Sequence, residues 1–130
     1  MSSEPRLYSV YFADGIVEQL SLTPLASGTY RLEESPLLHD SINLGDVIAA
    51  QLIGDEAVRF VSILQKSSYS TLRWLISKSV VDSEGLSKFL DNVTAAGGLW
   101  ERAIGGLLIL HIPRSSAFNA ESEFKLHTGS

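Results

Sequence analysis

An α+β fold is predicted: a curled, mostly antiparallel sheet of SH3-like half-barrel type, then a βαββ unit with one main helix. Three observations predict it. Short apolar runs separated by turn signals fill residues 6–77. A helical period then appears in Leu86, Phe89, Leu90 and Val93, at i, i+3, i+4 and i+7. Two more apolar runs, 99–104 and 107–112, flank Gly105-Gly106, a hairpin signal. Strands first, with a helix segregated after them, indicate α+β.

The elements follow in order. Residues 6–13 alternate, with Tyr8, Val10 and Phe12 on one face and Leu7, Ser9 and Tyr11 on the other. Asp14-Gly15 reads as a tight turn and 16–22 as the returning strand. Residues 24–28 read as a second turn and 29–33 as a short strand, which stops at Ser35-Pro36 because proline donates no ladder hydrogen bond. Residues 37–45 read as a loop. Strands 47–53 and 57–65, joined by Gly54-Asp55-Glu56, are apolar on both faces, which marks central strands covered on two sides or barrel strands. After a turn at 66–69, strand 70–77 carries Leu72, Trp74 and Ile76 on one face. Asp82 or Ser83 caps the helix, Gly97-Gly98 ends it, and Pro113 ends the last strand. The domain reading is a disordered N-terminus over 1–5 and one α+β domain over 6–114, strand-rich at 6–77 and helix plus hairpin at 78–114. Residues 115–130 read as a loose polar tail, with an edge strand at 123–127 as the alternative.

A chain of 130 residues, 45% hydrophobic, builds one core without a metal or disulfide staple. The absence of cysteine removes disulfides, thiol nucleophiles and cysteine metal sites. Residues 1–6 lack a signal-peptide pattern, and no apolar run approaches the ~18 residues of a membrane span, so a cytoplasmic protein with no membrane partner is expected. The net charge of −5 argues against nucleic acid, for which only Arg59, Lys66, Arg73 and Lys78 offer a basic set. Charge is also segregated: 32–58 holds no Lys or Arg but does hold Glu33, Glu34, Asp40, Asp46, Asp55 and Glu56, and 57–81 holds the four cations and no acid. Cross-strand ion pairs explain this as well as a dipolar surface that steers a charged partner.

Signals for chemistry are sparse. His39, His111 and His127 show no metal-ligand spacing, so neither a metal nor a cofactor is expected. His111 shares the Leu107/Ile109 face of an apolar strand and reads as a hydrogen-bonded core histidine. No Gly-x-Ser-x-Gly elbow precedes a helix, and the paired glycines are turns and a helix stop rather than a phosphate cradle. No catalytic residue is assigned; the remaining hydrolase reading would combine His39, Asp40 and Asp46. Trp100 and Arg102 share a strand face, an aromatic–arginine pairing common in binding hot spots, although Trp74 in the core with Trp100 at its rim accounts for both tryptophans.

The run Tyr30-Arg31-Leu32, Pro36-Leu37, Leu44-Gly45-Asp46-Val47-Ile48, Arg59-Phe60-Val61, then Ser67 with Ser70-Thr71-Leu72-Arg73 resembles a bacterial domain family of unknown function. Members of that family are short stand-alone proteins with a Gly-x-Tyr-Arg … Pro-Phe … Gly-Asp-Val-Val … Ser-Thr-Val-Arg pattern. Residues 106–113 are similar to its final apolar strand. Glu34 and Leu37 depart from the asparagine and phenylalanine of the pattern. The resemblance implies no activity. In the residues' own chemistry, Gly45 permits a turn and Asp46 accepts backbone N–H bonds or pairs with an arginine.

These readings favour a non-enzymatic binding module, such as an immunity or regulatory protein, whose partner is another protein and which allows a homodimer. Glu33, Glu34, Asp40, Asp55 and Glu56 would form the contact with a basic partner. The alternative is a small anionic ligand held between the two parts of the chain by Arg31, Arg73, Trp100 and Arg102.

Overall fold

The computed structural model describes residues 4–129. The chain clusters into two compact units, one ending at Ser67 and the other beginning at Ser68. The division falls inside the range 6–114 expected as one domain. Of the N-terminus expected to be disordered, residues 1–3 lie outside the described residues, and Glu4 and Pro5 are exposed and belong to no element.

The first unit is a closed five-stranded barrel, β1 (Arg6–Tyr11), β2 (Val17–Ala26), β3 (Thr29–Leu32), β4 (Val47–Gly54) and β5 (Ala57–Gln65), ordered as in sequence. Each neighbouring pair is antiparallel except the closing one, where β1 and β5 run parallel with Val10 opposite Val58. The expected half-barrel is thus closed. The alternation read in β1 holds: Tyr8 and Val10 point inward with Phe12, and meet Leu20, Leu22, Tyr30, Leu32, Ile48 and Val58 in the core. Strands β4 and β5 are apolar on both faces because they are barrel strands, and their outward residues Leu52, Val61 and Leu64 are exposed. One boundary differs. Residues 24–26 continue β2 rather than turning, with Pro24 opposite Tyr30 at a register shift. The β1 partner already ends at Leu22, so proline's missing N–H breaks no ladder there.

The second unit contains β6 (Tyr69–Leu75), α1 (Lys78–Val81), α2 (Glu84–Ala95), β7 (Leu99–Ala103), β8 (Leu107–Pro113) and α3 (Ala120–Thr128). Its sheet has the order β6-β8-β7, antiparallel throughout. The βαββ unit is therefore present, with β8 inserted between the strands that the helices connect. Ser83 caps α2 by accepting the Leu86 N–H at 3.2 Å, and the predicted stripe Leu86, Phe89, Leu90 and Val93 is buried against Leu108, Leu110 and Ile112. Each such side chain contributes about 1.5–3 kcal/mol on burial.

The expected tail is corrected: 120–128 is a helix, neither loose nor a strand. Asn119 caps it through the Ser122 N–H at 3.1 Å. Phe124 anchors it, with ring centroids 5.1 Å from Trp74 and 5.3 Å from Phe89. The helix can approach α2 closely because residue 85 is glycine; a Cβ there would collide with the His127 carbonyl.

Candidate functional site

The candidate ligand-binding residues are distributed over both units. Arg31 sits in the barrel with its Nε 3.0 Å from Glu33, whereas Arg73, Trp100 and Arg102 belong to the second unit. There, Arg73 lies opposite Ile109 on one face of the sheet, and Arg102 opposite Leu108 on the other face with Trp100. Trp74 packs beside the core and Trp100 is 40% exposed at a sheet edge. Glu33 and Glu34 are engaged internally: Glu33 accepts from Thr23 Oγ1 at 2.5 Å and Glu34 from the Ser21 N–H at 2.7 Å. Asp40, Asp55 and Glu56 are exposed.

Of the set His39, Asp40 and Asp46, His39 takes its side-chain partners elsewhere, from Glu18 and Asp14. The His39 ring is clamped between Glu18 at 2.8 Å and Asp14 at 2.9 Å and stacks on Phe12, centroids 3.7 Å apart. With both ring nitrogens on carboxylates, both must donate, so the imidazolium is the fitting form. Burial works to lower the His39 pKa, but the bonds to Glu18 and Asp14 outweigh it and hold the group above its ordinary 6.5. Asp14 is held below 3.8, first by the Ile16 N–H on its carboxylate. Asp46 is fully buried and accepts the Asn43 N–H at 2.9 Å, the Ser67 N–H at 2.8 Å and Lys66 Nζ at 2.5 Å. The seam between the acidic and basic halves is thus tied internally by Asp46 and Lys66. Gly45 holds φ +89° beside it, and a Cβ there would sit 3.0 Å from Ser67 Cβ. His111 is buried between Thr71 Oγ1 at 2.9 Å and Glu101 Oε2 at 2.6 Å. Among the described residues no cluster could hold a metal.

Among the described residues, a feature with room for a ligand is a trough beside β6. In the sheet, β6 has β8 as its one neighbour, so its other side is an edge. The bonds from Ile76 N to Gly106 O and from Arg114 N to Ser68 O fix the ladder phase. By antiparallel alternation Leu72 and Trp74 turn their N–H groups to β8, while Thr71 and Leu75 turn theirs to the edge. Helix α3 flanks that edge. Between them lies a cavity of about 550 Å³ lined by Arg73, Trp74, Leu75, Ile76, Glu121, Phe124 and Lys125. Two smaller cavities lie nearby, one of about 280 Å³ along 75–77 to Val80 and Phe124, the other of about 320 Å³ at Ile76, Lys78, Val81 and Gly105-Gly106. Of the ligand-binding candidates read from the sequence, Arg73 lines this cavity; the rest of the lining escaped sequence reasoning because α3, which forms one wall, reads there as a tail.

Against known proteins, the family described as Domain of unknown function (DUF4265) matches residues 18–124. The chain belongs to this family. The resemblance to a domain family of unknown function is thereby borne out, and the match covers both units, including Trp74 and Phe124. No curated protein matches the chain. A solved structure, that of a hypothetical protein from Neisseria gonorrhoeae, is similar with a TM-score of 0.59 and 17% identity, over 91% of this chain and 81% of that one. At that identity the likeness is one of fold. In this member of the family, no helix among the described residues is long and apolar enough to cross a membrane.

Proposed function

We propose that this DUF4265 protein is a protein-interaction module that accepts an extended segment of its partner as an added strand on β6. The observation that carries this is the edge strand with an apolar trough beside it. Proteins normally blunt a sheet edge with proline, a bulge, a very short strand, charged side chains or a covering helix, and here α3 stands off the edge by the width of the cavity. Strand β6 has seven residues, no proline and an unshifted register, and its Leu75 is 82% exposed. Strand addition uses such a backbone edge for affinity and a neighbouring pocket for alternate side chains; Trp74, Ile76 and Phe124 supply that pocket.

The test is selection of displayed random heptapeptides on the full chain. Binders should lose about tenfold or more in affinity with Leu75→Pro, which removes an edge-facing N–H without a β8 bond, and with Phe124→Ala. They should be indifferent to Leu52→Ser on the barrel. Absence of binders, or binders insensitive to both trough variants, removes the reading.

The exposed Asp55 and Glu56 at the β4–β5 turn support a second reading, in which the barrel meets a basic partner as an immunity or regulatory protein would. Of the expected contact residues, Asp40, Asp55 and Glu56 remain available to it. A partner whose affinity is unchanged by charge reversal at Asp55 and Glu56 would eliminate it.

A further inference from the structure

Residues 37–41 bridge two buried points of the barrel unit, Ser35-Pro36 before them and Ile42-Asn43 after them. Between those points Leu37, Leu38, Asp40 and Ser41 are exposed, while His39 turns to the core and lays its ring on Phe12. Glu18 accepts the Leu37 N–H at 2.8 Å, the Leu38 N–H at 3.3 Å and His39 Nδ1 at 2.8 Å, and Asp14 accepts His39 Nε2 at 2.9 Å. The second half is tied by the Ile42 N–H on the His39 carbonyl at 3.3 Å and by Lys66 Nζ on the Ser41 carbonyl at 2.8 Å. The first half thus hangs on two carboxylates, and the imidazole serves both only with a proton on each nitrogen. We propose that residues 37–41 are a proton-latched strap over Phe12, closed while His39 is an imidazolium and loosened once it is neutral. This inference does not depend on the strand-addition reading.

A neutral ring donates from one nitrogen and turns a lone pair on the carboxylate at the other. Glu18 is nearly buried and holds two backbone donors besides, so it keeps the remaining N–H; Asp14, half in solvent, turns to water. The acids facing the ring are Glu18 from β2 and Asp14 from the β1–β2 turn. Phe12 and, behind it, Phe60 of β5 supply apolar surface, and Lys66 beyond β5 is engaged with Asp46 and Ser41. Asp40, next in the chain, is exposed. The bonds to Glu18 and Asp14 hold the His39 pKa above 6.5, so the latch releases as pH rises through the folded value. Release uncovers Phe12, which is buried in the closed form, and frees the outward pair Leu37 and Leu38 from one fixed orientation.

The chain holds no cysteine, so Leu38→Cys, at an exposed position, takes a nitroxide label in the full chain without competition, and Leu52→Cys on β4 is the reference. Electron paramagnetic resonance spectra are recorded from about pH 5.5 to about pH 9, the range in which a histidine titrates. The mobile fraction at position 38 should rise about fivefold, the worth of a half-exposed ion-pair arm, with its midpoint at the His39 ring titration measured by NMR. The label at position 52 should not change. Asp14→Asn should move the midpoint to lower pH, and His39→Phe, which keeps the ring stack, should remove the transition. A label at position 38 that is equally ordered across the range overturns the proposal. So does a transition that survives in His39→Phe, that ignores Asp14→Asn, or that the label at position 52 shares.

Discussion

Removing the His39 imidazole tests whether an imidazolium between two carboxylates fastens the 33–46 segment to the β1–β2 hairpin. Glu18, 10% exposed, accepts from His39 and also from the backbone N–H groups of Leu37 at 2.8 Å and Leu38 at 3.3 Å. One carboxylate thus holds three donors of the same loop. A hydrogen bond to a charged group contributes about 1.5–3 kcal/mol, and the stacking on Phe12 about 0.5–1.5 kcal/mol. The Asp14 arm is half in solvent and adds little. His39→Ala should therefore destabilise the barrel by about 3 kcal/mol, and His39→Phe, which keeps the stack, by about 2 kcal/mol. The pH dependence has a definite sign. A histidine pKa raised on folding contributes stability that is fully present below about 6.5 and is lost as pH rises through the folded value. The depressed Asp14 acts oppositely, its contribution being lost as pH falls through the acid range. The wild-type advantage over His39→Ala should be greatest near pH 5.5 and smaller by pH 9. Urea unfolding at several pH values, with an NMR titration of the ring protons, measures both. A His39 that titrates below 6.5, or a penalty for His39→Ala that is as large at pH 9 as at pH 5.5, refutes the clamp.

Other perturbations have equally direct readings. Asp46→Ala deprives two buried N–H groups of their carboxylate acceptor and Lys66 of its partner, and should cost about 3 kcal/mol in chemical unfolding. Phe89→Ala opens a cavity at the centre of the second unit, where Trp74, Phe118 and Phe124 all meet the ring, and should cost about 3–5 kcal/mol. Gly85→Ala should push the end of α3 away from α2, seen as faster proteolysis after residue 115 and a changed Trp74 emission, with far-UV dichroism of the sheet retained.

Local pattern was enough for most of the strands and for α2. In β1 the inward set Tyr8, Val10 and Phe12 alternates strictly with exposed or half-buried neighbours, and one register satisfies it. In α2 four apolar residues at helical spacing follow a serine cap. Barrel closure was not legible, because the parallel pairing of β1 with β5 joins residues about fifty positions apart and leaves no local mark. Helix α3 failed for a different reason. Its apolar residues are few, and one of them, Leu126, is 75% exposed, so the segment has little amphipathic contrast. It is held by Phe124 on Trp74 and Phe89, a tertiary contact that overrides weak local preference. Asn119 followed by Glu121 and Glu123, with Gly129 beyond the last turn, was the one signal that could have located it. The same holds at His39, whose partners stand 21 and 25 residues away.

The candidate site was hidden because its chemistry belongs to the backbone. Trp74, Ile76 and Phe124 are ordinary core residue types, and as sequence they announce a core, which they partly form. In the strand-addition reading they serve recognition because β6 lies at the end of the sheet order and residues of α3 line the cavity beside it. The charged residues that looked functional have the converse history. Glu33, Glu34, His39 and Asp46 stood out by composition, yet each is engaged by a partner inside the barrel and fixes a loop or strand end. A carboxylate that already accepts two or three donors gives up those bonds if it turns to a ligand, at about 1.5–3 kcal/mol each. The barrel's charge seam therefore serves the fold, with Asp46 tied to Lys66 and to the Asn43 and Ser67 N–H groups, and the strand-addition reading looks for its partner elsewhere, at the edge of β6.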